Sequence, residues 1–257
     1  MDTTGQTGAA PDAGVPTWRR RLATPYAVLL RPVRGPRDLA LVIERHRSGM
    51  TAWAWDGRTG SRTELQGVAA AFGAVLTPDG RRVLQLDDPK GSEVGHLYAI
   101  DVRDGGSRDL TPSFPDFVVR GLDVCADGST AVVTTVDASG FALWQVSLDG
   151  RADPRRLFAS ENEAWYGILS TDGALAAIDT TDHNPGIRRY AVTVVDTASA
   201  AVVAVLTDGP LGPVRRVRFS PHGGDPRLLV EAERSGYSRP CVWDPLTGDR
   251  ADIELPE

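Results

Sequence analysis

Cysteine is nearly absent: Cys125 and Cys241 are the only two in 257 residues. They lie in different repeats, with no spacing that suits a disulfide framework or a metal site. Both are read as reduced, structural thiols. Histidine is scarce too. His46, His96, His183 and His222 fall in four different repeats, on turns or at strand starts. That leaves no self-contained Ser–His–Asp triad. The G-x-S-x-G elbow, which exposes the nucleophile of an α/β hydrolase on a strained turn, is missing. No apolar run reaches the ~18 residues of a membrane-spanning helix. Basic clustering is missing as well. Net charge is −6, and the one unbroken run of three cations is Arg19-Arg20-Arg21. A nucleic-acid partner is therefore not expected. Nor is a membrane partner: the stretch before Trp18 is polar and acidic, so it reads as neither signal peptide nor anchor. Residues 1–17 are expected to be a disordered tail, residues 18–257 a single domain, and the cytoplasm its location.

What is present is a repeat. A turn ending in Asp-Gly precedes a β-rich run at Thr77–Gly80, Cys125–Gly128 and Ser170–Gly173, with a looser form at Ser220–Gly224. An apolar strand ending at or near Asp and followed by a turn also recurs. Aligned on Asp56, Asp101, Ser147, Asp196 and Asp244, its copies are 45, 46, 49 and 48 residues apart. A period in the forties with several strands per period is the signature of a β-propeller blade. The strands are rich in Val, Leu, Ile, Trp and Tyr, which suit a pleated, half-buried surface. Gly 27 and Pro 18 supply turns for many short strands. The fold is read as all-β, a propeller of about five blades, either partial or small.

Strands are expected around Val83, Tyr98, Val132, Leu143, Ala176, Val194, Leu229 and Val242, and no helix is expected. Trp18–Pro32 is read as an apolar patch lying against the first blade. Trp53, Trp55, Trp144 and Trp243 sit on matching strands and are assigned to packing between blades rather than to an aromatic cage. Gly209–Pro213 precedes a strand, not a helix, so it is read as a linker between blades rather than a phosphate cradle. Two polar loops stand out as rim or channel contacts. One carries Asp87, Asp88, Glu93 and His96; the other, in the corresponding place of the fourth repeat, carries Asp182 and His183. Turn chemistry explains both loops, and neither has the Asp-x-Asp-x-Asp-Gly spacing of a calcium loop. No catalytic residue, cofactor or metal is assigned.

The stretches VLTPDGRRVLQLDDPKGSEVGHLYAIDVRDGGSRDLTP and FSPHGGDPRLLVEAERSGYSRPCVWDPLTGDRADIEL resemble the propeller of prolyl-oligopeptidase-family serine peptidases, the acylaminoacyl-peptidase-like branch. The resemblance runs from about Thr24 to the C-terminus. In that family the propeller precedes a hydrolase domain, restricts access to its active site and usually has seven blades. This sequence has about five repeats and no hydrolase motif, so the resemblance implies fold but no catalytic residue. Three readings follow. The chain is a non-catalytic propeller related to the gating domain, serving as a binding or interaction module for a protein partner, a hydrolase domain or a peptide. Alternatively, it is a stand-alone propeller that binds a small molecule at its channel, as an accessory or catalytic protein of a biosynthetic pathway. A third reading is an interaction scaffold of the TolB or WD-repeat kind. If the blades keep the curvature of seven, five leave an open arc. Apolar residues of Asp38–Trp55 and Arg227–Trp243 would then be exposed, and the chain would self-associate or need a partner.

Overall fold

The structure is a computed structural model. It describes residues 16–255 apart from 36–37, 69–72, 89–90, 210–211 and 235. Most of the expected tail, and the centre of the Gly209–Pro213 linker, lie outside the described residues.

Among the described residues, twenty strands form five antiparallel sheets of four. The first is β1 (Tyr26–Pro32), β2 (Leu39–His46), β3 (Gly49–Asp56) and β4 (Arg62–Glu64). The second is β5 (Val75–Leu76), β6 (Arg82–Asp87), β7 (His96–Asp101) and β8 (Ser107–Asp109). The third is β9 (Val118–Val124), β10 (Thr130–Asp137), β11 (Gly140–Ser147) and β12 (Arg155–Ser160). The fourth is β13 (Ala164–Leu169), β14 (Leu175–Thr180), β15 (Ala191–Asp196) and β16 (Val202–Leu206). The fifth is β17 (Val214–Phe219), β18 (Leu228–Ala232), β19 (Arg239–Trp243) and β20 (Arg250–Asp252). Strand makes up 52% of the described residues and helix 3%, and the five sheets stand in a ring as a five-bladed β-propeller. Every strand position expected from the repeat falls within one of these strands.

The repeated Asp-Gly turn explains the local folding. It joins the first strand of a blade to the second. In the second blade the Thr77 hydroxyl donates to Asp79 (2.7 Å) and accepts from the Arg82 amide (3.0 Å). Ser170 repeats this with Asp172 (2.6 Å) and the Leu175 amide (2.9 Å). Cys125 does it with sulfur, donating to Asp127 (2.8 Å) and accepting from the Thr130 amide (3.2 Å). The glycine then takes the left-handed conformation, with φ 68° at Gly80, 72° at Gly128 and 74° at Gly173. Cys125 is thus a hydroxyl substitute. Cys125→Ser is expected to hold stability within about 1 kcal/mol, the scale of one hydrogen bond, as measured by urea unfolding.

Four apolar clusters fill the seams between successive blades: first to second around Leu41 and Val83, and second to third around Leu97 and Val133. The third seam, around Leu143 and Ile178, and the fourth, around Val194 and Val230, complete the set. Among the described residues, no such cluster joins the fifth blade to the first. The apolar exposure expected there is nonetheless not found. Over Asp38–Trp55 and Arg227–Trp243 the large apolar side chains are buried or half-buried, apart from Met50 at the start of β3 and Tyr237 in a loop. Trp243 lies in the fourth seam and Trp144 stacks on Phe114 at 4.4 Å in the second, as packing residues should.

Two expectations are corrected. A short helix, α1 (Thr17–Ala23), precedes the propeller. Its Arg, Leu and Ala residues favour helix, and it ends where Thr24, extended at ψ 127°, precedes Pro25. Residues 26–32 are not a patch lying on the first blade but its innermost strand. A register shift between Ala27 and Leu29 breaks their alternation, which is why period two did not show it. No described helix is long and apolar enough to cross a membrane.

Candidate binding site

The innermost strands carry a feature that composition does not show. β1, β9, β13 and β17 each have an irregular register against the next strand, at Ala27/Leu29, around Arg120, at Trp165/Ile168 and at Arg216/Arg218. A bulge supplies local twist while re-aiming a side chain, and the outer strands β12 and β16 carry such shifts as well. At the third and fourth blades the two backbones almost touch. A Cβ on Gly121 would meet the Tyr166 nitrogen at 2.9 Å and run into its Cα, while Tyr166 itself takes the left-handed conformation at φ 52°.

Inner-edge N–H groups are satisfied from the preceding blade. Thr134 accepts from Gly167 N (2.8 Å), Asp123 from Leu169 N (2.9 Å) and Asp179 from Arg216 N (3.0 Å). Asp179 is buried here and Asp123 half-buried. Burial pushes the Asp123 carboxyl above its ordinary range, against the nearby Arg34 charge. Burial likewise pushes Asp179 up to about 6, with the Arg216 charge opposing. A protein of net charge −6 nevertheless concentrates arginine here: Arg31, Arg120, Arg215, Arg216 and Arg218 all lie on inner strands.

Two cavities result. The first, about 210 Å³, lies at the end where the Asp-Gly turns sit, lined by Arg31, Arg34, Asp123 and Arg218 among others. Arg34 closes it from the first blade, donating to the Leu169 carbonyl (2.5 Å) and pairing with Asp123 (3.4 Å). The second, about 440 Å³, lies between the fourth and fifth blades, toward the other end of the inner strands. It is lined by Trp165, Tyr166, Asp179, Tyr190, Arg215, Arg216, Val217 and Glu231. Here arginines lie over rings: Arg216 over Tyr166 (5.1 Å), Arg215 over Tyr190 (5.2 Å) and Arg120 over Trp165 (4.5 Å). Trp165 is held by its indole N–H donating to Glu163 (2.6 Å).

The polar loops singled out in the sequence sit apart from both cavities. Asp87 and His96 are cross-strand partners that help line a third hollow of about 310 Å³ on the second blade. His96 is occupied by Asp109 (2.7 Å) and Asp116 (3.5 Å). Asp88 folds its own turn, accepting from the amides of Ser92 and Glu93. In the fourth blade Asp182 accepts from Ser160 and from Asn162 (3.0 Å), and His183 is exposed. The third blade separates the two groups. Among the described residues, no group of three or more His, Cys, Asp or Glu could hold a metal ion. The sequence places strands over Glu163–Leu169 and Val214–Phe219, but nothing in it shows that Trp165 and Tyr166 of one blade meet Arg215 and Arg216 of the next. The consecutive arginines opening a predicted strand, Arg215-Arg216, were the available signal.

Comparison with solved structures assigns the architecture. A prolyl endopeptidase superposes with a TM-score of 0.65 at 13% identity, over 91% of this chain and 37% of its own. A puromycin-hydrolyzing peptidase of Mycobacterium tuberculosis gives 0.63 at 19%, over 88% and 39%. The fold is that of a peptidase or TolB propeller. TolB from Acinetobacter baumannii gives 0.54 at 18%, over 88% and 53%. The chain therefore spans well under two thirds of these relatives, and such identities carry the fold alone. No family and no curated protein matches the sequence.

Proposed function

We propose that this propeller is a non-catalytic binding module that receives its ligand at the axis, on the arginine-rich inner strands. One observation carries the reading: cations and aromatic rings gather at the inner strands, where bulges re-aim side chains, in a protein whose net charge is of the opposite sign. Charge complementarity of this kind selects anions and speeds their encounter. The likeness to peptidase propellers supports a place beside a hydrolase, as the binding part and not the chemical one. With chromogenic acyl-peptides and a fluorophosphonate serine probe, the purified chain is expected to give no turnover and no labelling. Stoichiometric labelling of one serine would overturn the non-catalytic reading.

A further inference from the structure

We infer that the cavity between the fourth and fifth blades is a site for an aromatic carboxylate, with the acid on Arg215 and the ring among Tyr166, Tyr190 and Trp165. This rests on the axial binding reading and names its ligand. The charges decide the sign. Arg216 is engaged, since its guanidinium faces Asp179 at 3.7 Å and donates to the Tyr166 carbonyl at 2.6 Å. Arg215 is exposed, and among the described residues no carboxylate lies within 4 Å of its guanidinium. Its flat face rests on Tyr190, which fixes the plane and leaves the N–H fork for a carboxylate. Asp179 is already taken by the Arg216 amide and guanidinium. Glu231, the cross-strand partner of Arg215, also lines the cavity and accepts from Ser238 (3.3 Å), and its guanidinium neighbour lies beyond ion-pair distance.

The rings decide the rest of the ligand. Tyr166 is 53% exposed on a backbone in the left-handed region, a strained conformation for a non-glycine residue that is kept where the surroundings impose it. Gly121 makes the room for its backbone, and Gly167 makes room for Leu143. Nothing in the packing of the blades requires an aromatic side chain in that place, because the seam below is filled by Leu143 and Ile178. Trp165 lies at 5.3 Å from Tyr166, tilted by 41°, so the two present an angled apolar surface beside the Arg215 fork. A cavity of about 440 Å³ is in the range of small-molecule sites and admits one ring with a short acid arm.

The test is titration of the full chain with 3-phenylpropionate, followed by tryptophan fluorescence and calorimetry. Saturable binding is expected, weaker by about tenfold or more for the neutral amide, 3-phenylpropanamide, and for Arg215→Gln or Tyr166→Ala. Unchanged melting of Arg215→Gln would show that its loss of binding is local. Equal binding of acid and amide, or no effect of Arg215→Gln, overturns the site. If binding of the acid falls with Arg218→Gln instead, the site is wrong and axial binding stands. If neither 3-phenylpropionate nor inorganic phosphate binds at millimolar concentration, both fail.

Discussion

Gly121→Ala is expected to destabilise the propeller by about 3 kcal/mol or more, or to prevent its folding, because the added methyl has nowhere to go. The obstruction is not a side chain that can rotate away. It is the Tyr166 backbone of the next blade, with the Tyr166 nitrogen at 2.9 Å and the Gly167 nitrogen at 3.1 Å from the new Cβ. Relief would require the third and fourth blades to separate, opening the seam that holds Leu143, Leu169 and Ile178. It would also lengthen the bonds from Thr134 to Gly167 and from Asp123 to Leu169. Gly223→Ala is the matched control. Its Cβ would meet nothing within 4 Å, and its φ lies outside the left-handed region. Removing a glycine there leaves stability unchanged or slightly raised. Urea unfolding of the two variants checks the contrast, and equal midpoints would show that the blades slide past one another freely.

The second large effect is electrostatic. Arg216→Ala strips the guanidinium from a buried carboxylate and is expected to lose about 3–5 kcal/mol at neutral pH, the usual result of leaving one member of a buried pair alone. The parent chain should show the underlying strain as a pH dependence. The Asp179 carboxyl titrates near 6 in the fold, pushed up by burial, against an ordinary 3.8. The folded state thus holds the proton more tightly than the unfolded one. Its contribution is fully present below about pH 4 and is lost as pH rises through about 6, a swing of roughly 3 kcal/mol. Asp123, also raised by burial, acts in the same direction. Hydrogen bonds to Asp127 and Asp172 hold those carboxyls below their ordinary range, so their contributions fade only on further acidification. Stability should therefore rise between about pH 7 and pH 5 and fall again in stronger acid. Asp179→Asn, which keeps an acceptor for the Arg216 amide, should flatten the upper part of the curve. An unchanged profile in that variant would place the titration elsewhere.

Sequence alone settled the architecture, since its signals are local. Thr77, Cys125 and Ser170 each close a turn with the aspartate two residues on, and the glycine after it supplies the left-handed backbone. A turn of that kind is complete within six residues, so it is legible wherever it occurs. The middle strands were legible too, because Val132, Ile178 and Val230 face seams and alternate with their neighbours. Inner strands were legible over Val118–Val124, Glu163–Leu169 and Val214–Phe219, while β1 was not, because its bulge breaks the alternation. Which side chains those strands bring together across a seam is a different matter, since it depends on how one blade meets the next. The sequence drew attention instead to Asp87, Asp88, Glu93, His96, Asp182 and His183, which cluster along the chain. The structure finds Asp88, His96 and Asp182 holding turns and blade edges. What only the tertiary structure decided is the meeting of Trp165, Tyr166 and Asp179 with Arg215 and Arg216, with Tyr166 50 and Asp179 37 residues from Arg216 in the chain. Ring stacking of consecutive blades brings them together, and no local rule of strand or turn encodes that distance.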